Sequence, residues 1–233
     1  MIVSIHQPNY LAWSGFFHKL LHSDIFVIFD DVQLPRGKKN NFIIRNRIKT
    51  ESGAKWLTIP VKDKSKLLPI NQVQINNNLN WRERHWHSLE NNYKKTPFFH
   101  DYKVDFQQIF EQEWDLLTDL NVMIIKLFMK ILNIRTMLAW SSEINVEETG
   151  TEKILAILEK LNGDKYLSGS GPGSTKYLAG KEKLFEEKGI EIIYQKFEEP
   201  VYPQQFGAFI PNLSLCDMLF NVGKEKTMQF LSV

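Results

Sequence analysis

Several features are scarce or missing in this sequence, and each absence removes a class of protein. The 233 residues hold one cysteine, Cys216, so no internal disulfide can form, which fits a reducing compartment. No apolar run approaches the roughly 18 residues that a spanning helix needs. The N-terminus has no basic segment or small-residue cleavage site, and Ile2 to Ile5 is too short for a signal core. The expectation is a cytoplasmic protein with no membrane insertion. There is no internal repeat and no low-complexity tract. Neither the P-loop pattern nor GxGxxG occurs. No cysteine-rich or HExxH arrangement offers a zinc site, and His85 and His87 stand two apart on a predicted helix, where side chains do not face each other. No metal ligands are therefore expected.

What is present can build a core. The hydrophobic fraction is 43%, with 16 Phe and 6 Trp. Ile2 to Ile5 reads as a short buried strand, His6-Gln7-Pro8-Asn9-Tyr10 as a turn, 14–22 as a helix, and the wholly apolar 25–29 as a strand buried on both faces. Strand, helix and strand in so short a stretch make a βαβ unit. Residues 42–48 and 56–61 flank Glu51-Ser52-Gly53 as a hairpin, and the alternation in 70–75 predicts a further strand. Residues 81–94 read as a helix. The 3.6-residue period of Phe106, Ile109, Phe110, Trp114, Leu117, Ile124, Leu127, Phe128 and Ile131 predicts one helix over 105–132. Trp81, Trp86 and Trp114 read as core.

Strand and helix then alternate again. Residues 136–140, 165–167 and 190–197 read as strands. The helix 151–161 closes at Asn162-Gly163, and another runs from a Ser174 cap to Gly189. Ser214-Leu215-Cys216-Asp217 has capping-box form and opens a terminal helix through Asn221. The fold class is α/β, a mostly parallel sheet flanked by helices with an inserted β-hairpin and helical segment. Residues 1–233 read as a single domain, with 36–132 as the insertion.

Charge is uneven along the chain. Ten Lys and Arg residues lie between Arg36 and Lys66 against only Glu51 and Asp63, while the net charge of the whole is +2. Such an excess attracts an anion such as a phosphate, with Lys39 and Arg45 as the grip. A solvated, lysine-rich hairpin is the alternative reading. Nucleic acid is not an expected partner, because the basic segment is confined and the rest is acidic.

Ligands of open α/β sheets bind outside the carboxyl ends of the strands. That rule selects His6, Asp30, Asp31, Ser168 and Gly169. His6 beside a carboxylate would be a competent general base. Asp30 and Asp31 suit a hydroxyl, an ammonium or a cation, or else a plain turn. Ser168-Gly169-Ser170-Gly171-Pro172-Gly173-Ser174 resembles a backbone anion nest, or a flexible turn. Tyr202 and Gln204 lie in a stretch, 202–209, too aromatic for a plain loop; it forms either a wall of the site or a self-packed Ω-loop. Cys216 reads as structural.

Taken together, Ser4-Ile5-His6-Gln7-Pro8-Asn9-Tyr10-Leu11, Phe29-Asp30-Asp31-Val32-Gln33, Arg45-Asn46, Trp56-Leu57-Thr58-Ile59-Pro60-Val61, Tyr166-Leu167-Ser168-Gly169, Tyr202-Pro203-Gln204 and Phe209-Ile210-Pro211-Asn212-Leu213-Ser214 resemble the WbqC-like family. That family is encountered in gene clusters for bacterial surface polysaccharide (O-antigen). The resemblance implies a place in that pathway more firmly than a reaction; His6, Asp30 and Asp31, chosen by the strand-end rule, are the catalytic candidates. The candidate substrate contacts are Gln7, Asn9, Tyr10, Gln33, Lys39, Arg45, Asn46, Ser168, Gly169, Tyr202 and Gln204. The leading expectation is a transferase acting on a nucleotide-linked sugar, by acyl or aminoacyl transfer to a sugar amine, with acyl-CoA or ATP and Mg²⁺ as co-substrate. Two alternatives stay open. One is an ATP-using ligase or nucleotidyltransferase, whose H-x-G-H signature is replaced here by Trp13-Ser14-Gly15-Phe16. The other is a non-catalytic sugar-binding protein of the same pathway.

Overall fold

The computed structural model describes residues 1–37, 41–62 and 67–233. Lys39, the proposed partner of Arg45 in gripping a phosphate, lies outside the described residues, as do Lys38, Lys64 and Lys66 of the basic segment. In chain order the elements are β1 (Ile2–His6), α1 (Ser14–Leu21), β2 (Ile25–Ile28), β3 (Arg45–Thr50), β4 (Gly53–Thr58), a 3₁₀ turn (Ile70–Gln72), α2 (Trp81–Tyr93), α3 (Phe99–Glu111) and α4 (Leu117–Leu132). They continue with β5 (Met137–Trp140), α5 (Ser141–Ile144), α6 (Gly150–Lys160), β6 (Lys165–Ser168), α7 (Pro172–Leu178), α8 (Glu182–Glu186), β7 (Glu191–Tyr194) and α9 (Leu215–Leu231). The chain divides into two compact units. The first comprises Met1–Gln7, Phe16–Asp31 and Arg135–Glu198; the second comprises Pro8–Gly15, Val32–Ile134 and Glu199–Val233.

The first unit holds a five-stranded sheet in the order β5-β2-β1-β6-β7, with every neighbouring pair parallel. All four residues of β2 are buried, as an apolar strand between helical layers must be. Phe16, Phe17 and Leu20 bury α1. The helix α6 closes as its sequence implies: Asn162 takes the left-handed conformation (φ 54°) and the Gly163 amide bonds Leu158 O. Gly163 is needed for room, since a Cβ there would lie 2.7 Å from Val3 Cγ2.

The predicted helix 174–189 is in fact two, α7 and α8, broken at Gly180, which sits at φ 75°. Its first turn begins at Pro172 after Gly171, so Ser174 is not the cap.

The second unit packs the antiparallel hairpin β3–β4 with α2, α3, α4 and α9. Three expectations need correction here. The helix predicted over 105–132 is broken at 112–116, because the chain there pairs with another segment: Ile75 N bonds Asp115 O and Leu117 N bonds Val73 O. Residues 70–75 form a 3₁₀ turn and two isolated bridges in place of a strand, although Val73 and Ile75 are buried and Gln74 is exposed, as alternation implies. The last helix runs past Asn221 to Leu231 with a break at Gly223 (φ 75°), where a Cβ would meet the Phe98 ring at 2.8 Å. Among the described residues no helix is long and apolar enough to cross a membrane.

Candidate functional site

Strand order decides where a ligand can sit in the first unit. From β1 the chain moves through α1 to β2 on one side, while β6 pairs on the other, so the order reverses between β1 and β6. The crevice outside the carboxyl ends of those two strands is the usual ligand position in open α/β sheets. The register puts His6 opposite Ile28, Ile28 opposite Trp140, and Ser168 opposite Tyr194. His6, Asp30, Asp31, Ser168 and Gly169 therefore leave the sheet at one edge.

His6 closes β1 and is half-buried. Its ring meets Phe16 edge-on at 4.9 Å and stacks on Phe26 at 6.4 Å. Nδ1 lies 2.8 Å from Gln7 O, which makes Nδ1 the protonated nitrogen and leaves the Nε2 lone pair free. Burial, reinforced by the charge of Lys19, holds the imidazole well below its ordinary pKa, so the ring is neutral at pH 7. Lys19 is itself 2% exposed; its Nζ donates to Ile5 O at 2.9 Å, and burial lowers its pKa to about 7.

The carboxylates are turned to other partners. Asp30 accepts from Ser141 Oγ (3.0 Å), Ser142 N (3.1 Å) and Ser142 Oγ (2.8 Å), capping the first turn of α5. Asp31 accepts from Ser141 Oγ at 2.6 Å and pairs with Lys153 Nζ at 2.8 Å. Among the described residues neither forms a hydrogen bond with His6. Ser168 is buried and donates to Gly169 O at 3.2 Å. A Cβ at Gly169 would lie 2.8 Å from Ser174 Oγ, so a side chain there would have to turn that hydroxyl aside. The Gln7 side chain makes no hydrogen bond among the described residues.

The remaining candidates belong to the second unit, where most serve packing. Tyr10 is buried, with its hydroxyl 2.8 Å from His85 Nδ1, and Asn9 is buried beside it in sequence. Asn46 donates to Leu11 O at 2.7 Å, and Asn121 holds the same turn through Pro8 O (2.9 Å) and Ile43 O (2.8 Å). Gln33 reaches Leu67 O at 3.3 Å. Tyr202 and Gln204 converge on Asp217 at 2.9 and 2.7 Å. Arg45 lies over the Trp56 ring, its Cζ 3.9 Å from the centroid.

A family model described as "WbqC-like protein family" matches residues 7–229. The chain belongs to the WbqC-like family. It is 31% identical over 225 residues to a Mycobacterium tuberculosis (strain ATCC 25618 / H37Rv) protein called "Uncharacterized protein Rv1507c", covering 96% of this chain and 94% of that one. No solved structure matches.

Two features of this WbqC-like chain escape a reading of its sequence. Lys19 gives one signal: it sits among Phe16, Phe17 and Leu20 in a helix with little polar face, so it cannot reach water. Asp217 looks like the last member of a capping box. Only half of that box forms, with Ser214 Oγ accepting from Cys216 N at 3.3 Å. The Asp217 carboxylate is instead buried and accepts from Tyr93 (2.8 Å), Tyr202 and Gln204. Burial raises its pKa to about 6 against the pull of those donors. Cys216 beside it is buried, its thiol pushed up to about 12 and inert at neutral pH. Among the described residues no cluster of His, Cys, Asp and Glu is placed to hold a metal ion.

Proposed function

We propose that the protein modifies a nucleotide-linked sugar for bacterial surface polysaccharide, by acyl or aminoacyl transfer to a sugar amine. The observation that carries this reading is His6: a neutral imidazole at the switch point, with Nδ1–H fixed on Gln7 O and Nε2 unprotonated. In this reading the sugar nucleotide lies along the carboxyl edge between Gln7 and the turn at Ser168 and Gly169. The amine nitrogen attacks the acyl carbonyl carbon, and its proton passes to His6 Nε2 as the C–N bond forms. Collapse of the tetrahedral intermediate breaks the C–S bond of an acyl thioester such as acyl-CoA. The proton then returns from His6 to the leaving sulfur. Asp30 and Asp31 take no part in the step, because their oxygens are held by Ser141, Ser142 and Lys153.

The switch point of the parallel sheet also suits a nucleotide, so ATP with Mg²⁺ is the second ligand to try. Thermal shift with UDP- and TDP-sugars, acyl-CoA and ATP/Mg²⁺ separates the readings, since a tight ligand stabilises by RT ln(1 + [L]/Kd). The expected result is stabilisation by a sugar nucleotide. A turnover loss of about 10²–10⁴-fold in His6→Asn, with affinity and melting temperature kept, marks His6 as the base. A lower melting temperature with intact turnover makes His6 a turn residue, and stabilisation by ATP/Mg²⁺ alone transfers the chain to the ligase class.

A further inference from the structure

The hairpin of the second unit carries a row of three cations on one face of β3: Arg45, Arg47 and Lys49, at every second residue. They differ in what they bond. Lys49 is buried, and its Nζ reaches Gln204 Oε1, Gly207 O and Ala208 O. Arg47 donates from Nη2 to Pro211 O (3.3 Å) and Asn212 O (3.2 Å), and the charge of Glu199 is within its field. Arg45 has no hydrogen bond and no ion pair among the described residues.

Arg45 is nevertheless held in place. The register sets Arg47 opposite Trp56, so Arg45 lies on the diagonal of the same face. Its guanidinium lies over the indole, with Cζ 3.9 Å from the ring centroid, while Arg47 Cζ is at 5.6 Å. Arg45 Nε is buried against the hairpin without a partner, while the residue as a whole is only half-buried. Trp56 remains 39% exposed, with Phe42 6.1 Å from it. A flat guanidinium fixed on an aromatic ring, with its outer fork unbonded among the described residues, matches the planar bidentate geometry that phosphate oxygens accept. Fixing the fork beforehand also removes part of the ordering cost of binding.

We propose that Arg45, seated on Trp56, is a binding site for the phosphate or diphosphate group of a small ligand. The size of the footprint argues against a polyanion. Nucleic-acid binding neutralises many phosphates at once, while two of the three cations in this row are already committed to carbonyls. The proposal does not depend on the reaction assigned to the sheet edge.

The test is a calorimetric titration of the full chain with inorganic pyrophosphate and with uridine diphosphate at low and moderate salt, followed in parallel by tryptophan fluorescence. Saturable, salt-weakened binding is expected, with affinity about tenfold lower in Arg45→Gln. Arg45→Lys keeps the charge but not the fork, and belongs between the two. Trp56→Leu, which removes the seat, lowers affinity and the fluorescence response together. Equal affinity in wild type and Arg45→Gln overturns the proposal, as does a failure of the wild type to bind either probe at millimolar concentration. Tighter binding of a single-stranded oligonucleotide than of either probe assigns the surface to nucleic acid and also overturns it. Because Arg45 has no hydrogen bond or ion pair among the described residues, its variants are expected to melt with the wild type; a fall in melting temperature of several degrees makes the side chain structural and overturns the assignment.

Discussion

Lys19 in the parallel-sheet unit and Lys49 in the hairpin unit are both almost wholly withdrawn from water, at 2% and 0% exposure, yet they are different kinds of residue. An ammonium has three protons to place. Lys49 places them on Gln204 Oε1 (3.1 Å), Gly207 O (3.4 Å) and Ala208 O (2.5 Å). Among the described residues Lys19 has the single acceptor Ile5 O, and burial moves its pKa to about 7. Lys153 stands between them, with Val146 O at 3.2 Å and Asp31 at 2.8 Å. Burial of a charge therefore does not by itself reveal its use. The number of acceptors does: the fully bonded lysine is part of the scaffold, and the under-bonded one sits beside His6, the residue on which the proposed chemistry rests.

The largest effect expected from this contrast is on Lys49. In Lys49→Met, Gly207 O and Ala208 O lose the ammonium, while Gln204 Oε1 keeps its bond from Ile210 N. Hydrogen bonds to a charged group contribute about 1.5–3 kcal/mol each, so the loss of folding stability is about 3–5 kcal/mol. Denaturant unfolding measures it, and a loss below about 1 kcal/mol would erase the distinction between the two lysines.

The neighbouring carboxylate sharpens the same comparison through pH. Asp217 has a folded-state pKa of about 6, against an ordinary value of 3.8. Between those values the folded state holds a proton that the unfolded state has lost, so this group's contribution to stability falls as pH rises from about 4 to about 6 and is level above that. The full span is roughly 3 kcal/mol. Other carboxylates slope the opposite way, so the quantity to follow is the difference in unfolding free energy between wild type and Asp217→Asn across that range. A difference that does not change with pH would show that Tyr93, Tyr202 and Gln204 fully offset the burial of the charge.

The parts of this architecture that sequence reveals are those written by local pattern. The apolar β2, the helix α1 and the turn after His6 make a βαβ unit on sight, and strand order then places His6 and Ser168 at one edge. What stays hidden depends on distant partners. Nothing near Asp30 announces that Ser141 and Ser142, more than a hundred residues away, will take up its oxygens. The break between α3 and α4 has no glycine or proline to mark it; backbone bonds to Val73 and Ile75 open the helix. Asp217 has the spacing of a cap, but its side chain is taken by Tyr93, Tyr202 and Gln204, from two other segments of the chain.

Lys19 gives the smallest effect and the one of opposite sign. Replacing it with Met removes one hydrogen bond, to Ile5 O, and with it the cost of holding an uncompensated ammonium among Phe16, Phe17 and Leu20. Replacing a buried charge by an apolar side chain of similar length is often neutral or stabilising. Lys19→Met is therefore expected to gain about 1–2 kcal/mol at pH 6, where the folded-state ammonium is still charged. Its folded pKa of about 7 lies below the ordinary 10.5, so above pH 7 the folded state sheds the proton while the unfolded state keeps it. Wild-type stability from this group then rises with pH, and the advantage of the variant shrinks toward pH 10. Unfolding free energies of both proteins at pH 6, 8 and 9.5 measure that narrowing. Destabilisation of Lys19→Met by as much as Lys49→Met, with no dependence on pH, would show that one well-placed carbonyl is enough to make a buried lysine structural.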